Sequence, residues 1–107
     1  MSADPSRNSL ESLLLAAVGE GPAHGYALIE RLRNRSGGAF DLAEGTVYPI
    51  LHRLEQAGLL ASSWVDASGR RRRVYRLTRK GRKALDERRR DWQRYSRAVS
   101  LVLEGGR

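Results

Sequence analysis

A long helical segment near the C-terminal end of the sequence limits the folds that are open to this chain. Thr78 can cap a helix that runs from about Arg79 to Glu104, which at 1.5 Å per residue spans ~39 Å. Its larger side chains follow two heptad series, and those predicted to meet in a dimer interface are Leu85, Trp92, Tyr95, Val99 and Val102. Because the core of one small domain does not cover so long a helix, the pattern predicts a homodimer.

The residues before this helix predict three shorter helices and a hairpin. Apolar residues recur at helical spacing in about Asn8–Val18, with Asn8 as cap, in Ala23–Arg35 and in Glu44–Ala57. Two β-prone runs, Leu60–Asp66 and Arg72–Thr78, flank a turn at residues 67–69. Residues 1–7 are predicted to be a disordered tail. This order of helices and strands predicts a mainly helical α+β fold, with a winged helix-turn-helix over residues 8–78. The helix of residues 79–104 is predicted to pack on it, so that the two parts form one structural domain.

The third predicted helix has two faces. Val47, Ile50, Leu51 and Leu54 form its apolar stripe. In a winged helix-turn-helix this helix enters the major groove, so Thr46 and Tyr48 are predicted to contact phosphates. The residues predicted to read base edges are Pro49, His52, Arg53 and Gln56. The alternative is an ordinary solvated face.

The positive charge is large and concentrated. The chain has 20 Lys and Arg against 12 Asp and Glu, and a formal charge of +8, which favours DNA, RNA or an acidic membrane surface as partner. The segment from Arg70 to Lys83 holds nine basic residues and no acid. Four of them lie in succession in the predicted hairpin: Arg70, Arg71, Arg72 and Arg73. They are predicted to contact phosphates or the minor groove rather than to be merely solvated.

Several classes of protein are not indicated. The chain has no Cys and two His, which predicts no disulfide, no metal site and no cofactor. It offers no Cys nucleophile, no acid pair in a promising context and no glycine-rich phosphate loop after a strand, so an enzyme is not expected. The longest apolar run, Leu13–Val18, is too short to cross a bilayer, and a cytoplasmic protein without membrane contact is expected.

Four sequence segments resemble one known family. They are His24-Gly25-Tyr26, Gly45-Thr46-Val47-Tyr48-Pro49, Leu54–Leu60 and Tyr75–Gly81, and together they resemble the PadR family of bacterial transcriptional regulators, in its short form with a single C-terminal dimerisation helix. One departure is Ala43, which stands where members often have a Ser that caps the third helix. The resemblance implies a dimeric repressor that binds a palindromic operator and releases it when a small molecule binds.

The resemblance also implies an effector site, since members often sense aromatic compounds at the dimer centre. Trp92 and Tyr95 are the candidate pocket walls, although aromatic residues at heptad spacing also serve as simple packing. His24 is predicted to cap or pack, and Tyr26 to be core. Two other functions stay open, an RNA- or ribosome-associated winged helix and a protein-interaction module. An RNA binder more often displays stacking aromatics on a sheet, for which Trp64 and Tyr75 are the candidates.

Overall fold

The computed structural model describes residues 9–105 and has the predicted α+β composition. Its elements in chain order are α1 (Ser9–Gly19), β1 (Ala23–His24), α2 (Gly25–Arg35), α3 (Glu44–Gln56), β2 (Leu60–Ala67), β3 (Arg70–Leu77) and α4 (Arg79–Leu103). The strands form one antiparallel sheet in the order β1-β3-β2. The predicted tail and the predicted Asn8 cap lie outside the described residues.

The start of the second helix differs from the prediction. Ala23 and His24 were expected to be helical, but they pair with Tyr75 and Val74 of β3 as a short third strand. The helix begins after them because His24 is extended and its Nδ1 accepts the N–H of Ala27 at 3.3 Å. The predicted capping role of His24 is therefore confirmed, and the predicted helical start is wrong by two residues.

The hairpin turn is tighter than predicted. Ala67 ends β2, and only Ser68 and Gly69 connect it to β3. Both have positive φ, 53° and 74°, which is the backbone requirement of a two-residue turn whose twist matches that of the strands. The strands therefore pair along their whole length, from Leu60 opposite Leu77 to Ala67 opposite Arg70.

The core lies among α1, α2, α3 and the base of the hairpin. The α3 stripe of Val47, Ile50, Leu51 and Leu54 is buried, as predicted. The prediction that Tyr26 is core is wrong, since its side chain is 56% exposed. Interaction with the Glu44 carboxylate at the start of α3 raises the pKa of Tyr26.

The long helix α4 is anchored at its N-terminal end and projects beyond the core. Thr78 caps it as predicted, because its Oγ1 accepts the N–H of Gly81 at 3.0 Å. Gly81 and Leu85 are the buried residues of α4, and the chain measures 58 Å along its longest axis. Leu85 therefore belongs to the core of its own chain and has little surface to offer a second copy.

Candidate nucleic-acid interface

One face of α3 lies outside its buried apolar stripe. Ala43 precedes the helix without a side-chain cap, and its carbonyl oxygen accepts the N–H groups of Thr46 and Val47 instead. None of the six α3 residues predicted to contact DNA is fully buried. Tyr48 is half-buried, and the exposed ones are Thr46, Pro49, His52, Arg53 and Gln56.

The half-buried ring of Tyr48 rests on the start of α2. A Cβ atom at Gly25 would lie 2.5 Å from Cζ and Oη of Tyr48, closer than real side-chain atoms approach. Only a glycine therefore admits the ring at this position. The Gly25 contact brings together two of the segments that carry the family resemblance, and it fixes the Tyr48 hydroxyl beside the exposed face of α3.

An exposed indole stands on the hairpin beside this face. Trp64 of β2 pairs with Arg73 of β3, so the two side chains share one face of the sheet. The indole is 54% exposed. The guanidinium carbons of Arg71 and Arg73 lie 5.0 and 5.4 Å from its ring centroid, within the range of cation–π attraction.

The four successive arginines of the hairpin are not equivalent. Arg73 Nε donates to Ser62 Oγ at 2.8 Å, and its Nη2 lies 3.5 Å from Glu55 Oε2 of α3. Ser62 Oγ donates to the same Glu55 oxygen at 2.6 Å. Arg73 thus ties the hairpin to α3, whereas Arg70 and Arg71 are exposed.

Arg72 faces the N-terminal cap of α2. Its Nη1 lies 3.2 Å from Nε2 of His24. Burial, and after it the positive charge of Arg72, lower the pKa of His24. The imidazole therefore stays neutral at neutral pH, which preserves Nδ1 as an acceptor for the helix cap.

These side chains surround a groove of about 370 Å³ between α2, α3 and the hairpin. The residues that line it are His24, Tyr26, Tyr48, His52, Trp64, Arg71, Arg72, Arg73 and Tyr75. Three of them are arginines and none is an acid. The groove thus combines aromatic rings with positive charge, which suits an anion that also has flat or apolar parts.

Arg53, at the last turn of α3, is linked to two other helices. Its Nη2 lies 3.5 Å from Glu11 Oε2 of α1, and Glu11 Oε1 lies 3.4 Å from Nη2 of Arg88 in α4. Sequence reasoning missed Glu11, Glu55 and Ser62 as parts of this region, and it named Trp64 only as a candidate stacking ring of an RNA binder. Helical or strand periodicity contains no signal for them, since their partners come from other elements.

The two predicted effector residues lie on α4, away from the hairpin groove. Trp92 lines a larger groove of about 750 Å³ with residues of α1 and with Phe40. Tyr95 packs against Trp92, with ring centroids 5.7 Å apart and planes tilted by 36°. The structure therefore brings the two rings together on an exposed part of α4.

Residues 9–105 contain neither a cluster of metal ligands nor a membrane-spanning helix. No three or more His, Asp or Glu side chains there are grouped as metal ligands. Within the same residues, no helix combines the length and the apolar character needed to span a membrane.

Comparison with known proteins points to one family. The family model described as "Transcriptional regulator PadR-like family" matches residues 14–87. The chain is 43% identical over 86 residues to "Transcriptional regulator Rv3488" of Mycobacterium tuberculosis, a match that covers 80% of this chain and 78% of that protein.

Solved structures agree with that comparison. A PadR family transcriptional regulator from Eggerthella lenta superposes with a TM-score of 0.80 at 36% identity, over 92% of this chain and 84% of that one. A PadR-like transcriptional regulator from Bacillus cereus gives a TM-score of 0.79 at 28% identity, over 91% and 93%. These matches confirm the predicted winged-helix class.

Proposed function

This chain belongs to the PadR-like family of transcriptional regulators, and from that membership we propose a homodimeric repressor without catalytic activity that binds a palindromic operator. The observation that carries the proposal is the face of α3 opposite its apolar stripe, on which five of the six predicted contact residues are exposed beside a hairpin with four successive arginines. A helix of this kind fits the major groove while the hairpin reaches the adjacent backbone or minor groove.

The two parts of this surface have different roles. Pro49, His52, Arg53 and Gln56 read base edges, Thr46 and Tyr48 contact phosphates, and the arginines at 70–73 supply charge. Selection of bound duplexes from a random pool tests specificity and half-site spacing together. A pool without enrichment of any sequence would contradict the proposal.

Two substitutions test the division of roles. Gln56→Ala is expected to relax base preference, at a cost of ~1–3 kcal/mol if the contact is bidentate. Arg70→Ala is expected to weaken binding to all duplexes and to lower the salt slope by roughly 0.9 per lost phosphate contact. Arg70 is chosen because it is exposed and lies outside the Arg73–Ser62–Glu55 contacts. If both substitutions weakened binding to selected and to random duplexes by the same factor, this division of roles between α3 and the hairpin would be wrong.

The dimer is proposed on α4. Beyond Leu85 this helix exposes an apolar face that a second copy can cover, and its members at helical spacing are Trp92, Tyr95, Val99, Val102 and Leu103. Sedimentation at micromolar concentration is expected to give about 24 kDa, twice the 12.0 kDa of one chain. Val99→Asp is expected to give monomers, whereas Ser100→Asp, the same charge change on the next exposed residue, is not. A monomeric parent chain would remove the argument for a palindrome.

The proposed effector is a flat, hydrophobic molecule, neutral or cationic, held between Trp92 and its copy in the second chain. Stacking and cation–π attraction favour such a guest. Release of DNA follows only if the guest prefers the dimer geometry that does not bind DNA. Titration of planar aromatic dyes into a Trp64→Phe background, followed by Trp emission, tests this, and dyes that leave the emission unchanged would contradict it.

The same DNA assays address the RNA alternative. Tyr75, one of the two candidate stacking rings, is 1% exposed and packs in the core, so it presents no ring to a base. Labelled duplex is therefore expected to resist competition by an excess of RNA. Efficient displacement by RNA would favour the alternative.

A further inference from the structure

We infer that Trp64 contacts DNA, and that the groove between α3 and the hairpin receives one sugar–phosphate strand of the duplex with the indole packed on a sugar. This inference rests on the proposed function and extends it to a residue that the α3 face and the arginine run do not include. Its basis is the position of the ring, the way it is held and the charge around it.

The position of Trp64 is unusual for its residue type. Tryptophan is on average highly buried, yet this indole is 54% exposed and forms part of the groove wall together with Tyr48 and His52 of α3. Its face of the hairpin is the one that contacts α3, since Ser62, two residues earlier on the same face, donates to Glu55. The exposed ring therefore faces the space beside the recognition surface.

The ring is also held before any ligand binds. Arg73 is fixed at its base by Ser62 and Glu55, and its guanidinium carbon lies 5.4 Å from the indole centroid. Arg71 lies 5.0 Å from the same centroid. Because these contacts restrict the side chain in the free protein, little rotamer freedom is lost when it packs against a ligand.

The positive charge of the groove favours an anionic ligand. Arg71, Arg72 and Arg73 line it, and no acid is among its lining residues. A sugar–phosphate strand alternates an anion with the apolar edge of a sugar, so it satisfies the arginines and the indole together. With α3 in the major groove and the hairpin at the adjacent minor groove, a backbone strand passes between them. The groove occupies that position.

The first experiment uses Trp64 as its own reporter. Trp64 and Trp92 are the two tryptophans of the chain, so Trp92→Phe leaves Trp64 as the only indole. A duplex obtained from the selection is titrated, and binding is followed by anisotropy of a label on the DNA and by Trp emission. The emission is expected to change with the same midpoint as the anisotropy.

The second experiment measures the contribution of the ring. Trp64→Ala is expected to weaken binding to selected and random duplexes about 10-fold, the effect of losing the apolar contact of one aromatic ring, while Trp64→Phe retains most of the affinity. The salt slope is expected to stay unchanged in Trp64→Ala and to fall by roughly 0.9 in Arg71→Ala, which removes a cation. Val65→Ala is the matched control, since Val65 is an exposed neighbour on the opposite face of β2, and no change is expected.

The outcomes separate this inference from the proposed function. Normal DNA binding by Trp64→Ala, with no emission change at Trp64, would overturn the inference and leave the regulator intact. A salt slope lowered as much by Trp64→Ala as by Arg71→Ala would also overturn it, because the ring would then serve only to position Arg71. Absence of duplex binding by the parent chain would instead refute the proposed function, and tighter binding of single-stranded RNA would replace DNA as the occupant.

Discussion

Arg31 offers a strong test of how the helices are joined. Its Nη1 donates to the carbonyl oxygens of Ala17 at 2.8 Å and of Gly21 at 2.7 Å. These carbonyls lie at and just beyond the last turn of α1, where helical carbonyls lack partners within the helix and a cation is favoured by the helix dipole. Arg31→Ala removes both hydrogen bonds and the charge at once.

The expected loss follows from the two bonds. A hydrogen bond to a charged group contributes ~1.5–3 kcal/mol. Because both bonds share one nitrogen and the side chain is half-buried, we expect a loss of about 2–3 kcal/mol in the free energy of unfolding. At roughly 4–8 °C per kcal/mol for a domain of this size, the melting temperature is expected to fall by about 8–24 °C.

Urea unfolding at one fixed protein concentration measures this loss as a lower midpoint with an unchanged slope. Arg33 is the matched control. It lies on the same helix, but it is exposed and its nearest carboxylate, on Asp41, is 4.0 Å away. Arg33→Ala is therefore expected to change stability by less than ~0.5 kcal/mol. Equal losses in the two variants would refute the assignment of the effect to the Arg31 contacts.

Two further predictions concern single positions. Gly81→Ala is expected to prevent stable folding, since its Cβ would lie 1.9 Å from the Leu59 carbonyl oxygen. Gly45→Ala has open space around its Cβ and is expected to leave stability unchanged or to raise it by up to ~1 kcal/mol. Thermal melts of both variants check these two expectations. Because the pKa of His24 is lowered in the folded state, the unfolded chain protonates this imidazole more readily than the folded chain does. The contribution of His24 to the free energy of unfolding is therefore complete above pH 6.5, the ordinary His value, and is lost as the pH falls through the folded-state pKa. His24→Asn keeps a capping oxygen but cannot titrate, so urea midpoints measured against pH are expected to be flatter in that variant below pH 6.5, and parallel curves would contradict the role of His24.

Much of this fold is encoded in short-range patterns. The apolar stripe of α3, the Thr78 cap and the turn at Ser68 and Gly69 each depend on residues within about four positions of one another. The face of α3 opposite the stripe follows by the same geometry, and therefore the candidate DNA contacts could be predicted without the structure. The positive charge of the hairpin is equally visible in the sequence.

Long-range contacts decided the remaining features. The strand at Ala23 and His24 exists because β3 offers it backbone partners, and a two-residue strand has no pattern of its own. Leu85 continues the heptad series of Trp92, but the packing of α1 against α4 places it in the core of its own chain. Tyr26 is apolar enough to be predicted as core, and its position at the start of α2 leaves it exposed.

The hairpin arginines show most clearly the difference between what short-range patterns encode and what long-range contacts decide. Four identical side chains in succession are indistinguishable by charge, periodicity or propensity. Their roles separate only because Ser62 and Glu55 hold Arg73 and because His24 lies beside Arg72. These partners come from another strand, from α3 and from the start of α2, up to 48 residues away in the chain. A local sequence pattern reports which residues are charged, whereas the partner that each charge meets depends on how distant elements pack.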